Sequence, residues 1–391
     1  MVKVITYLKN NWVTLIPTIL YLIIAINVRS DYALTWDEPT EMETGKLAYN
    51  YVVNNDPAYL QHIDRDYGVF FQFILTAITE TLQPENFYEA TLIRRTCLIL
   101  LFSVFLFVFV RFVHSEFRSK HFTILAGIIL LSSPRILAHS IFNTKDLAFL
   151  CTYFFGFASI AGFCKNPGIW RIVIMCLFIG IAIDTRIIGI ELLPIGLVAI
   201  IFASVSKKLN KKALVKYLST YILLTPLVIY AFRPVLWQDP LEIIQIFQNM
   251  AKFRFPFHLV YIGQDISAQN LPWHYLATWI AISNPIIIVL LVTTSILFLP
   301  VILIKNRLTT ITNKHFLWTI AVAIPVGTLL SIIMMKSVVY DGWRQIFFIY
   351  PFLILCLLYI LNQGKHIIQI KHSTIIVSIL LIPTIISQIR N

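Results

Sequence analysis

Long, unbroken apolar runs separated by short polar stretches occupy most of the chain. Runs of about this length cross a bilayer core as helices, since about 20 apolar residues at a helical rise span it. The pattern predicts spans at 11–28, 96–113, 121–138, 147–164, 170–185, 187–205, 213–232, 278–304, 316–335, 345–362 and 373–389. The runs are continuous rather than alternating, which excludes a transmembrane barrel. The expectation is an all-α, polytopic transmembrane protein of about 10–11 spans, forming a single transmembrane unit over 1–391. Segment 68–83 is apolar but short, and reads as a partial span or an interfacial helix. Asp184-Thr185-Arg186 leaves almost no loop between the runs on either side. The first run follows Lys3 and Lys9 without a small-residue cleavage site after it, and reads as a retained signal anchor.

Composition sharpens this picture. Of 391 residues, 58% are hydrophobic and 13% charged, with mean hydropathy +0.79. Soluble chains carry about 25% charged residues. A formal charge of +12 could suggest nucleic acid, but many of the basic residues form short clusters between apolar runs, as the positive-inside rule predicts. No nucleic-acid partner is expected. With the N-terminus inside, 17 of the 31 basic residues lie inside, and of the 19 acids only Glu116 does. The five cysteines lie in or beside apolar segments without a CxxC pair, and read as small core residues. The inside loops carry no glycine-rich phosphate cradle, which argues against a cytosolic ATP-driven step.

The polar chemistry therefore concentrates on the predicted outer side, in large loops at about 29–95 and 233–278 and shorter ones at 133–146 and 336–344. Asp37 and Glu38 follow Trp36 just beyond the first span, and Pro39 suits a first helical turn. Their plain reading is a capped helix in a solvated acidic loop. Arg135, His139, Lys145 and Asp146 fall within twelve residues; Asp146 is either an N-cap or a functional acid. Asp184 and Arg186 either neutralise each other or free an arginine for substrate. Tyr340-Asp341-Gly342-Trp343-Arg344 is an aromatic interface anchor or an arginine-based phosphate site. Arg233-Pro234-Val235-Leu236-Trp237 and Trp273-His274-Tyr275 bracket the second large loop. His62, His258 and His274 lack metal-ligand spacing, so no metal ligands are assigned.

Taken in order, Trp-Asp-Glu-Pro at 36–39, Ser-Pro-Arg followed by Asn-Thr-Lys-Asp ending at Asp146, and Tyr-Asp-Gly-Trp-Arg at 340–344 resemble motifs of the C-type (GT-C) membrane glycosyltransferases. The likeness is greatest to bacterial relatives of the dolichyl-phosphate-mannose protein mannosyltransferases, the family 39 group. It implies a GT-C architecture in a bacterial cytoplasmic (inner) membrane, with the site on the extracytoplasmic face. It implies a polyprenyl-phosphate-linked sugar donor and transfer with inversion to an acceptor of unknown kind: lipid, glycan or protein. Asp37 would be the catalytic base, with Glu38 and Asp146 assisting. Arg135, Lys145, Arg186 and Arg344 would neutralise the leaving phosphate, with Tyr340 beside them. The cofactor is unknown; a divalent metal is compatible with the acids but not required. The chain is short for the protein mannosyltransferases and lacks a large lumenal domain. The competing reading is a membrane transporter or lipid flippase, which would favour mid-membrane ionisable residues and internal repeats; no repeat is visible. A catalytically inactive scaffold is a third possibility.

Overall fold

The computed structural model describes residues 2–206, 208–253, 255, 257–307 and 313–363; the expected span at 373–389 lies outside them. In chain order the helices are α1 (Val2–Val28), α2 (Asp37–Asn54), α3 (Ala58–Gln61), α4 (Phe70–Leu82), α5 (Phe87–Phe117), α6 (Lys120–Leu131), α7 (Pro134–Phe142), α8 (Asp146–Lys165) and α9 (Ile169–Thr185). Next come α10 (Leu192–Val205), α11 (Lys211–Phe232), α12 (Glu242–Ala251), α13 (Tyr275–Ile282), α14 (Ile286–Arg307), α15 (Asn313–Met335) and α16 (Tyr350–Gln363). Strands β1 (His258–Tyr261) and β2 (Gln264–Ser267) pair antiparallel in the 233–278 loop, with Val260 opposite Asp265.

The chain is a multi-pass, all-α membrane protein. Among the described residues six helices are long and apolar enough to cross a bilayer, or seven if one bent pair is a single span. Ten or eleven were expected, and the difference lies partly in breaks that an apolar run does not display. The run at 121–138 bends by 73° between α6 and α7. There Ser132 and Ser133 precede Pro134, which opens α7 without a backbone donor. The run at 278–304 is interrupted at Ser283-Asn284-Pro285, between α13 and α14. Segment 68–83 forms α4, only 13 residues long. The runs 170–185 and 187–205 are separate helices, joined through Arg186 and a 3-10 segment, Ile187–Glu191.

Helices α5, α8 and α16 form the centre. Phe105 and Phe154 meet edge to face at 5.5 Å, and Phe157 and Phe352 at 4.9 Å. Lipid tails are as apolar as these side chains, so close packing rather than water exclusion must hold such helices together. Apolar faces remain uncovered on the outside: Ile19, Leu20 and Ile23 of α1, and Ile222, Leu223 and Leu227 of α11. Patches of this kind suit a lipid environment. The starts of α2 and α8, the end of α9 and the segment before α16 all converge at one end of the bundle, as their side-chain contacts show.

Candidate active site

Helix α2 begins with Asp37 and Glu38, and the two neighbours take opposite directions. The Asp37 carboxylate forms an ion pair with Arg344. Glu38 is buried and grips the Arg95 guanidinium with both oxygens, at 2.7 and 2.8 Å. Thr35 adds its backbone N–H at 2.8 Å and its hydroxyl at 3.0 Å to the same carboxylate. Arg95 uses its remaining donors on the carbonyls of Arg29, Tyr32 and Ala33, each at 2.9 Å. Glu38 therefore ties the link between α1 and α2 to α5. Fully engaged in this way, it is not brought to the acidic cluster that the expected assisting role requires.

Asp146 is the first residue of α8 and is buried. It is not the N-cap. Lys145 holds that position, and Asn143 supplies the acceptor, its side-chain oxygen accepting from the backbone N–H of Asp146 at 2.8 Å and of Lys145 at 3.2 Å. This frees the Asp146 carboxylate to face the cluster. One oxygen pairs with Arg186; the other accepts from the Asn143 amide at 2.9 Å and lies 3.9 Å from Arg344 Nε. Arg186 and Asp184 do not neutralise each other. Asp184 turns the other way, accepting from the Phe70 N–H at 2.8 Å and lying 3.4 Å from Arg233. Gly68 is required beside it, because a Cβ there would stand 1.1 Å from the Asp184 carbonyl oxygen.

Arg344 lies between the two carboxylates and packs over the Tyr340 ring at 5.1 Å, while its Nε lies 3.4 Å from Asp341. Tyr340 in turn stacks on Phe255 with centroids 3.9 Å apart. The turn that presents Arg344 needs two left-handed residues, Asp341 (φ 53°) and Gly342 (φ 73°). Arg135 clamps this turn by donating to the Asp341 carbonyl at 2.9 Å, and sits over the Trp279 ring at 5.2 Å. Arg135 thus contacts the turn rather than Asp37 or Asp146. Lys145 points elsewhere again, with its ammonium 3.5 Å from the centre of the Tyr67 ring.

Several participating residues escaped the sequence reading. Glu41 lies one turn beyond Asp37 on α2, buried, and accepts from the Thr144 hydroxyl and from Gln72 at 2.9 Å. Arg94 donates to the Gln72 oxygen. Burial raises the Glu41 pKa above its ordinary value, against the opposing pull of the Lys145 charge and the Thr144 hydrogen bond. Burial likewise raises the Tyr67 and Tyr340 phenols. Glu41 links α2 to the turn before α8, the two segments carrying Asp37 and Asp146. For Glu191 the available signal was an ionisable residue within the apolar run 187–205, whereas Arg94 and Arg95 fall just before the run at 96–113.

Beside the cluster lies a mostly apolar cavity of about 230 Å³. Tyr67, Arg186, Glu191, Arg233, Tyr340 and Ile346 are among its walls. Arg233 is 1% exposed, and its Nη1 is buried without a hydrogen-bond partner. Among the described residues, no three His, Cys, Asp or Glu side chains group as metal ligands. The arrangement offers two carboxylates, arginines able to hold an anion, and an apolar chamber lined by two of those arginines, Arg186 and Arg233.

No family model matches the sequence, and no characterised protein matches it by sequence comparison. Solved structures do match. ArnT from Cupriavidus metallidurans, bound to undecaprenyl phosphate, superposes with a TM-score of 0.58 at 15% identity over 90% of this chain and 60% of its own. The Archaeoglobus fulgidus oligosaccharyltransferase in its apo form gives a TM-score of 0.64 at 11% identity over 98% of this chain and 56% of its own. AglB from the same organism, in complex with an inhibitory peptide and a dolichol-phosphate, gives 0.57 at 12% identity, again over 98% and 56%. The chain therefore spans 60% or less of the length of these structures. Likeness at this level of identity is a likeness of fold, and the chain has the fold of the GT-C membrane glycosyltransferases.

Proposed function

We propose that the protein is an inverting glycosyltransferase that moves a sugar from a polyprenyl-phosphate-linked donor to an extracytoplasmic acceptor. The observation that carries this reading is the convergence of Asp37 and Asp146 with Arg344 and Arg186, the last of which also lines an apolar cavity. Two of the structures sharing the fold are complexes with undecaprenyl phosphate and dolichol-phosphate, which supports a carrier of that chemistry here. The whole chain acts as one transmembrane unit in a cytoplasmic membrane, with the cluster on the outer face. The groups of the cluster gather at one end of the bundle rather than around a central pathway, which favours transfer over transport.

Asp37 is the base. It accepts the acceptor hydroxyl proton as the hydroxyl oxygen bonds to the sugar C1, and the C1–O bond to the phosphate breaks on the opposite side. The departing phosphate keeps the electron pair and stays on the carrier. Arg186 and Arg233 line the cavity where that charge develops, and the free Nη1 of Arg233 gives it a donor to offer. Fixed cations in a water-poor site stabilise such charge strongly. Arg344 holds Asp37 and Asp146 together and adds positive charge beside them. Tyr340 completes the wall, Lys145 acts from behind the Tyr67 ring, and Arg135 acts through the 340–344 turn. Asp146 fixes Arg186.

The test is transfer of radiolabelled sugar from a panel of polyprenyl-phosphate monosaccharides in membranes containing the wild type or Asp37→Asn. The expected result is transfer by the wild type, and a fall in turnover of about 10²–10⁴-fold in the variant. Equal transfer by the two proteins would remove Asp37 as the base.

A further inference from the structure

The cavity has a second polar wall. Glu191 closes the 3-10 segment that begins after Arg186, and its side chain lines the same chamber as Arg186 and Arg233. At a 3-10 rise of about 2 Å per residue, Glu191 stands on the order of 10 Å from Arg186 along the segment. Two spanning helices hold it. The Tyr153 hydroxyl of α8 donates at 3.3 Å, and the Thr328 hydroxyl of α15 at 2.9 Å. Both reach Oε2. Among the described residues Oε1 accepts no hydrogen bond, and no lysine or arginine pairs with Glu191. A carboxyl set in an apolar wall without a cation is costly unless something donates to it.

The chamber's size and lining indicate what donates. Its volume of about 230 Å³ falls below the ~300–1,000 Å³ that drug-sized ligands occupy. That is room for one sugar ring beside a phosphate. Phe253 and Tyr340, with ring centroids 6.1 Å apart, stand in its wall beside Tyr67. Resting on the glycosyl-transfer reading above, we infer that this chamber is the donor-sugar pocket, that it takes a single sugar residue, and that Glu191 recognises that sugar by accepting hydrogen bonds from its hydroxyl groups. A sugar whose carboxylate is held against Glu191 is disfavoured, because the two acidic groups would repel.

The test uses the full-length protein in lipid nanodiscs. Binding of bare undecaprenyl phosphate is compared with binding of undecaprenyl phosphates bearing single neutral sugars, a uronic acid or a disaccharide. The wild type is expected to bind at least one neutral monosaccharide carrier more tightly than the bare carrier, and the uronic-acid and disaccharide carriers less tightly than that one. Glu191→Gln and Glu191→Ala should each lose about 10- to 100-fold in affinity for the preferred sugar carrier, the scale of hydrogen bonds to a charged group, while binding bare undecaprenyl phosphate as the wild type does. Retention of the bare carrier also reports that each variant is folded. Arg233→Gln should weaken both carriers. Unchanged sugar-carrier affinity in both Glu191 variants, or equal binding of the disaccharide carrier, overturns the inference and leaves glycosyl transfer standing. Failure of the wild type to bind any carrier removes the transfer reading, and this inference with it.

Discussion

Arg344 forms an ion pair with Asp37 across 307 residues of sequence, and the same guanidinium reaches within 3.9 Å of Asp146. One cation thereby lies between two carboxylates delivered by different helices. Replacing it with alanine would leave like charges facing each other and remove positive charge beside the proposed base. Arg344→Ala is expected to lower turnover by about 10²–10³-fold. Arg344→Lys should recover only part, since an ammonium lacks the planar fork. Single-turnover release of labelled sugar in proteoliposomes measures both.

The Glu38–Arg95 pair makes a contrasting prediction. Both side chains are buried, and removing one partner strands the other charge. Glu38→Gln or Arg95→Met should cost about 3–5 kcal/mol, whereas an apolar replacement of both should cost less. Thermal unfolding in detergent gives the ranking. A catalytic Glu38 would instead lose turnover with its melting temperature unchanged.

Glu41 predicts a pH effect of defined sign. Its folded pKa is raised from the ordinary 4.5, chiefly by burial. Folding therefore favours the protonated form. The stability this contributes is present below 4.5 and declines as pH rises from there through the folded value. Glu41→Gln cannot ionise and lacks that decline. Unfolding of both proteins, followed from about pH 4 to 8, should show the wild type losing ground to the variant as pH rises. Parallel curves would contradict the assignment.

Gly342 sits at φ 73°, and a Cβ there would approach Arg135 Nη1 to 2.4 Å. Gly342→Ala is expected to cost about 1–3 kcal/mol through backbone strain, and to reduce turnover by displacing the turn that presents Arg344. Comparing melting temperature with activity separates the two effects. Wild-type turnover in this variant would show that the turn's geometry does not matter to the site.

Orientation is open to labelling. Trp36, beside Asp37, is 95% exposed, while Lys212 lies in the first turn of α11 at the opposite end. A membrane-impermeant maleimide should label Trp36→Cys in intact cells, and Lys212→Cys only after permeabilisation. Of the native cysteines, four are buried and Cys97 is partly so, which keeps the background low. The reverse pattern would invert the proposed topology.

The sequence by itself determined the class of the protein. Apolar runs of spanning length leave only helices as a way to satisfy backbone groups in lipid, and the fold bears this out. It also singled out Asp37, Asp146, Arg186 and Arg344, because ionisable residues at the ends of apolar runs stand out against their surroundings. Partnership was not legible. Asp184 and Arg186 are near neighbours in the chain, yet Asp184 pairs with Arg233, 49 positions away, and Arg186 with Asp146, 40 positions away. Asp37 and Glu38 are adjacent, yet one joins the cluster and the other anchors α5. Successive helical side chains project about 100° apart around the axis, so neighbours in sequence face different elements, and only the packing of those elements decides which charge meets which. The bends at Ser132-Ser133 and Ser283-Asn284-Pro285, the free donor of Arg233 and the setting of Glu191 were decided in the same way, by tertiary contacts that a hydropathy pattern does not encode.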